Sequence, residues 1–407
     1  MKLKKISAII LALVLVLGVT ACTVPASEPA NASTAPIVTT QAVETTAAEI
    51  ESDKLNWAEP HVYNLSEDEE VKNIILLIGD GMGENIIKNA EIVKGDALAM
   101  QTMPHSCYVG TDNALGKVTD SAAASTAIST GVKTRNQLVG LDENRNPVET
   151  ICEFAMARGL KTGLVDTHVI PHATPAGMAT HSSDRGLYNS ILSDMLKMGI
   201  NVLLGGGQEY IDTQKMQKRI ADCGYTYVQT TEELAKVPSD TEKLLGGFAY
   251  QDLNASKNPS LTTMCAKALE LLEGDEGFFL MVEASHIDIY EAKLDMDKTI
   301  DEMMAFDKCI DYVLSWAQSH PGTLVIVTAD HETGGVTVPE SGKAEDVNAD
   351  CFTSGGEHTG ADVLLFAAGA RSGELFTEEK IENTDISKIM KKALNDTYGE
   401  KPEFIFE

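Results

Sequence analysis

The chain has 407 residues, is 43% hydrophobic with only two tryptophans, and carries a formal net charge of −29. That is ample for one large core or for two domains. The negative charge argues against nucleic acid or anionic lipid as a partner, and at long range it opposes a phosphorylated substrate too, so local cations, metals above all, would have to overcome it.

In chain order, residues 1–22 read as an export signal: Lys2, Lys4 and Lys5, then an apolar run from Ile6 to Val19 ending in Thr20-Ala21-Cys22. The run is short for a membrane span. Small residues ending at a cysteine resemble a bacterial lipobox, so cleavage before Cys22 and lipidation of Cys22 are expected. That would anchor the protein outside the cytoplasm, at a cell surface or in a periplasm. Residues 23–70 carry ten acids and a single lysine, Lys54, with few large apolar side chains. Such a segment buries too little surface to offset its ordering entropy and reads as a flexible acidic tether. Residues 71–407 read as one folded domain.

Val71–Ile78 is a mostly apolar run ending in Gly79-Asp80-Gly81-Met82-Gly83, the pattern of a strand buried on both faces that finishes in a glycine-rich turn. A helical pattern follows through Ile86, Ile87, Ala90 and Val93. Further helices are expected at 150–158, 188–198 and 262–273, and strands at 160–165, 201–204 and 277–283. One long helix is expected from about Glu291 to Gln318, then strands at 323–328 and 362–367. This alternation predicts an α/β fold with a mainly parallel central sheet and helices on both faces, its ligands beyond the carboxyl ends of the strands. Six cysteines remain after Cys22, with no CxxC pair, which argues against a thiolate zinc site and leaves disulfide pairing open.

The chemistry collects around Thr119-Asp120-Ser121-Ala122-Ala123-Ala124. Asp120 or Ser121 would start an alanine-rich helix, placing Ser121 where free N–H groups favour an anion. An ordinary core helix with a serine cap would look the same on this stretch alone. Metal-ligating residue types also fall at or after expected strand ends: Asp80, Glu283, Asp288, Asp330 and His331. Two loops add His172-Ala173-Thr174-Pro175, with Arg185 beyond it, and Gly356-Glu357-His358. Nitrogen and oxygen donors without thiolates suit zinc, and an all-oxygen portion suits magnesium.

From about residue 71 to 370 the chain resembles the alkaline phosphatase family, with its motifs in order: Ile78–Gly83, Thr119–Ala124 followed by Thr130-Gly131-Val132-Lys133-Thr134, His172–Ala176, Val282-Glu283, Thr328–Gly335 and Gly356–Gly360. The resemblance implies an alkaline-phosphatase-like fold and a phosphomonoesterase acting on small phosphorylated substrates. Ser121 would be the nucleophile, passing through a phosphoserine, and Arg185 would grip the phosphate. Asp80, Asp330 and His331 would hold one Zn2+. Asp80, Thr174 and Glu283 would hold Mg2+, with His172 shaping that site. Asp288 and His358 would hold a second Zn2+. The family also suggests a homodimer.

Two positions depart from the family pattern: Ser125, a serine where the family prefers Gly or Ala, and, with more consequence, position 292. Four residues after Asp288, where a histidine usually completes the second zinc site, stands Ala292. Glu291 and His286 are the neighbouring side chains that could substitute; otherwise the site is short of a ligand. The alternatives are thus a phosphate- or metal-binding surface lipoprotein with impaired catalysis, or a phosphodiester or sulfate ester hydrolase of the same superfamily.

Overall fold

The apolar runs of the sequence become the centre of a ten-stranded sheet. The computed structural model describes residues 63–254 and 258–404; the export signal with Cys22 and the tether up to residue 62 lie outside the described residues. The strands are β1 (Asn73–Gly79), β2 (His105–Gly110), β3 (Lys161–Val169), β4 (Val202–Gly206), β5 (Thr226–Val228), β6 (Leu244–Gly247), β7 (Phe278–Ala284), β8 (Thr323–Thr328), β9 (Glu332–Thr333), β10 (His358–Thr359), β11 (Val363–Gly369) and β12 (Lys380–Glu382). Their order in the large sheet is β12-β2-β11-β8-β1-β7-β3-β4-β6-β5, and β9 pairs with β10 in a separate ribbon. From β8 across to β5 every pairing is parallel. β11 is antiparallel to both β8 and β2. The three central strands β8, β1 and β7 are buried throughout apart from Asn73 at the start of β1, which is why they read as continuous apolar runs. The expected α/β architecture with a mainly parallel sheet is therefore the one observed.

The long helix expected from Glu291 to Gln318 is instead two helices, His286–Glu291 and Met296–Gln318. Leu294 between them takes φ +56°, a left-handed conformation that no helix interior allows. Asp295 then restarts the chain by accepting a hydrogen bond from the Lys298 amide at 3.3 Å. The break confines Asp288 and Glu291 to one short helix, three residues apart and on the same face.

The helix Ser121–Thr130 begins as its sequence suggests, with Asp120 as N-cap accepting from the Ala123 amide at 2.9 Å. It packs closely on the helix Ala173–Ala179 because both are built from small residues. Ser125 Oγ donates to the carbonyl of Ala173 at 3.1 Å, and Gly177 leaves no room beside Ser125 for a further carbon. Gly177→Ala is therefore expected to destabilise the fold by about 1–3 kcal/mol through overpacking, read as a lowered urea midpoint.

Residues 63–70, at the end of the acidic segment, are docked onto this body. Tyr63 hydrogen-bonds Asp311, and Glu67 pairs with His105 at 2.8 Å and accepts from the Arg371 amide through its carbonyl. All six cysteines of the described residues are free.

Candidate active site

Strand order explains how residues far apart in sequence meet. Asp80 follows β1, the strand between β8 and β7. Asp330 and His331 follow β8 on one side, and Glu283 lies in β7 on the other. β3, the next strand out, leads to His172 and Thr174, and the helix after β7 carries Asp288. All of these lie at the carboxyl edge of the parallel strands, where open α/β sheets bind ligands. Donor atoms lying within 4.8 Å of one another form three groups among the described residues: Asp80–Asp330–His331, Asp288–His331–His358, and Asp80–His172–Glu283.

These donors converge without satisfying one another. Asp80 Oδ1 and Asp330 Oδ2 lie 3.5 and 3.2 Å from His331 Nε2, yet neither oxygen has a hydrogen-bond partner. The Thr174 hydroxyl stands beside the Glu283 carboxylate, and neither Thr174 Oγ1 nor either Glu283 carboxylate oxygen has a hydrogen-bond partner. His172 Nδ1 is likewise without a partner. Buried polar atoms are nearly always paired, so a cluster of orphaned anionic and imidazole donors fits divalent cations.

The electrostatics agree. Burial, then the charges of Asp330, Asp288 and Glu283, push the Asp80 carboxyl well above the usual range. Burial, then Asp166, does the same to Glu283. Burial pushes the imidazoles of His172 and His331 down, keeping them neutral as ligands must be. Burial also opposes charge on His358, but the hydrogen bond and charge of Asp288 outweigh it and raise that group to about 9. A raised acid such as Asp80 or Glu283 stabilises the metal-free fold below its unfolded pKa, and that contribution is lost as pH rises through the folded value. Above about pH 7, where His172 and His331 are neutral in the unfolded chain as well and no longer add an opposing trend, the melting temperature of chelator-stripped protein should therefore fall as pH rises, and the gain from added metal should grow over the same range. Melting curves with and without chelator at each pH check this.

Ser121 is the first residue of its helix and buried, with Oγ 3.4 Å from His331 Nε2. Arg185 approaches from the loop beyond the Ala173–Ala179 helix. Its Nη1 donates to Asp120 Oδ2 at 3.2 Å, and its Nη2 lies 3.2 Å from His172 Nε2. The amide and side chain of Gln137 also donate to Asp120 Oδ2, so the cap residue orients the guanidinium while it holds the helix. His358 donates from Nδ1 to the carbonyl of Thr119 at 3.1 Å, leaving Nε2 toward Asp288 Oδ1 at 3.3 Å.

His286 is not brought in: it pairs with Asp252 at 3.0 Å. Three further residues support the ligands without having stood out in the sequence. Thr333 donates to Asp288 Oδ1 at 2.6 Å and lies 3.2 Å from His331 Nδ1. His168 stacks on His172 at 4.0 Å between ring centroids. Asp166, in register with Glu283 across β3 and β7, accepts from Ser285 Oγ at 2.6 Å. Thr333 was readable within the Asp330–Gly335 motif; the other two depend on strand register.

A mainly parallel α/β sheet with metal-ligating groups beside a helix-capped serine has clear counterparts. The alkaline phosphatase family model matches residues 71–349. Alkaline phosphatase 4 of Bacillus subtilis is 37% identical over 302 residues, covering 67% of this chain and 64% of its own length. An alkaline phosphatase of Escherichia fergusonii is 31% identical over 410 residues, covering 80% of this chain and 86% of its own. The solved structure of a cold-active alkaline phosphatase from the psychrophile Shewanella sp. matches with a TM-score of 0.73 at 27% identity, covering 79% of this chain and 99% of that one. The chain belongs to the alkaline phosphatase family. Its match spans just under two thirds of the length of the Bacillus protein.

Proposed function

We propose that this protein is a metal-dependent phosphate monoester hydrolase acting through a phosphoserine at Ser121. The observation that carries the reading is the placement of Ser121 Oγ at a helix N-terminus, 3.4 Å from His331 Nε2, with Arg185 held alongside by Asp120. Asp80, Asp330 and His331 would hold one Zn2+, Asp288 and His358 a second, and Asp80, His172, Thr174 and Glu283 Mg2+. Bound there, the ions supply Lewis-acid stabilisation of the entering and leaving oxygens and favour the serine alkoxide.

The chain's own residues do the rest. The Arg185 fork grips two non-bridging phosphate oxygens, and the N–H groups opening the Ser121–Thr130 helix favour the same anion. Ser121 Oγ attacks phosphorus, forming the Oγ–P bond as the bond to the ester oxygen breaks and the alcohol departs with a proton. Water then attacks the phosphoserine, breaking the Oγ–P bond and releasing inorganic phosphate, with net retention at phosphorus. The roles given to Ser121, Arg185 and the helix N–H groups address the phosphate alone, so the substrates would be small phosphate monoesters of varied alcohols. The lipobox-like Thr20-Ala21-Cys22 supports a lipid anchor outside the cytoplasm.

Hydrolysis of p-nitrophenyl phosphate by the protein loaded with Zn2+ and Mg2+, against a chelated control, tests the reading. Metal-dependent turnover rising from neutral to alkaline pH is expected. A folded, metal-loaded protein without turnover would instead favour a binding lipoprotein, or, if diesters or sulfate esters are cleaved, a relative with another substrate.

A further inference from the structure

Glu291 is an acid that the fold leaves without a partner. It ends the helix His286–Glu291, is fully buried, and neither of its carboxylate oxygens has a hydrogen-bond partner. Burial raises its carboxyl well above the usual range, and the charges acting on it, from Asp288, Glu332 and Asp330, raise it further. A buried carboxylate among other acids is strongly disfavoured unless a cation or a proton joins it.

Its place points to the cation. A Cβ on Gly81 would lie 2.7 Å from Glu291 Oε2 and 3.0 Å from both Cα and Cβ of Asp288, so Glu291 and Asp288 flank the same glycine. The amide of Gly81 donates to Asp330 Oδ1 at 3.1 Å. The adjoining ligand group is short of donors. His331 turns Nε2 toward Asp80 and Asp330 and has Thr333 Oγ1 3.2 Å from Nδ1. Among the described residues that leaves Asp288 and His358 as the only donors the group does not share, fewer than the three protein ligands usual even for an open zinc site. Glu291 does not lie within the 4.8 Å cluster of Asp288, His331 and His358, so it would join by turning its side chain from Gly81 toward His358 Nε2.

We propose that Glu291 is the third protein ligand of the metal ion held by Asp288 and His358. The proposal rests on the metal-holding role given above to those two residues. Both sites would then offer two carboxylates and one imidazole, an oxygen-rich set that takes Mn2+ as well as Zn2+.

The test is metal binding to the full chain, stripped with chelator and titrated with Zn2+ or Mn2+. Ions per chain are counted by elemental mass spectrometry, and affinities are read by competition with a chromophoric chelator. Glu291→Gln removes the charge and keeps the shape. It should retain one ion fewer after gel filtration, or bind that ion at least about tenfold more weakly. Glu291→His, which keeps a donor, should retain the ion and shift its preference from Mn2+ toward Zn2+. Ion counts and affinities in Glu291→Gln equal to those of the wild type would overturn the proposal and make Glu291 a neutral buried acid. Should that variant not fold, an unchanged Mn2+/Zn2+ preference in Glu291→His would overturn it as well. A wild-type chain that binds neither ion would instead overturn the functional reading on which the proposal rests.

Discussion

Ser121→Ala is expected to lower phosphomonoesterase turnover at least ~10³-fold, about 4 kcal/mol of transition-state stabilisation. The size follows from what the substitution leaves. Asp120 still caps the helix through the Ala123 amide, Arg185 still rests on Asp120, and the three ligand groups contain no part of Ser121. Phosphate should therefore still bind, and metal content and melting temperature should hold, because Ser121 Oγ contributes only its contact with His331. What is lost is the atom that, in the proposed mechanism, becomes bonded to phosphorus. Direct attack by water in its place lacks the pre-paid positioning of a side chain already in the site. Steady-state hydrolysis of p-nitrophenyl phosphate, with metal content measured on the same samples, checks this. Turnover within tenfold of wild type would remove Ser121 from the mechanism.

Asp80→Asn should have the next largest effect, because Asp80 stands in two of the three ligand groups. Losing its charge weakens the Asp80–Asp330–His331 site and the Asp80–His172–Glu283 site together. A loss of ~10²–10³-fold in turnover is expected, about 3–4 kcal/mol, with fewer ions retained per chain. The metal-free chain should respond in the opposite direction. Burial, then Asp330, Asp288 and Glu283, disfavour charge at Asp80, so a neutral amide relieves repulsion that the metals otherwise neutralise. The stripped variant should melt at a higher temperature than the stripped wild type near neutral pH, while the loaded variant gains less from metal. A variant that loses activity yet gains as much from metal as wild type would contradict a ligand role for Asp80. Opposite signs in activity and apo stability separate a ligand from an ordinary core residue, whose replacement lowers both.

The sequence carried the centre of the fold because β1, β7 and β8 are buried on both faces and need unbroken apolar runs. Their carboxyl ends then pointed to Asp80, Glu283 and Asp330, and a strong cap and alanine run marked the helix behind Ser121. The edge was less legible. β5, β6 and β12 are short, and β2, as long as β8, mixes buried and exposed positions in a way that loops also show. The division of the long helix hinges on the left-handed Leu294, which the apolar periodicity runs straight through. Which ligands meet was a matter of the order β8-β1-β7-β3, set by long-range pairing. The resemblance to a family supplied that grouping where residue spacing alone did not. The support given by His168 and Asp166, and the burial of Glu291 beside Gly81, depend on register and on one backbone conformation, and neither leaves a mark in composition or spacing.

Acid-quenched peptide mass spectrometry probes the proposed phosphoserine most directly. The metal-loaded full chain is mixed with p-nitrophenyl phosphate, stopped in acid during turnover, digested and searched for added phosphoryl groups. One phosphoryl group on the peptide containing Ser121, absent from Ser121→Ala, is the expected result. Steady turnover with the phosphoryl group on another residue, or with none on Ser121 at any pH tried, would contradict it.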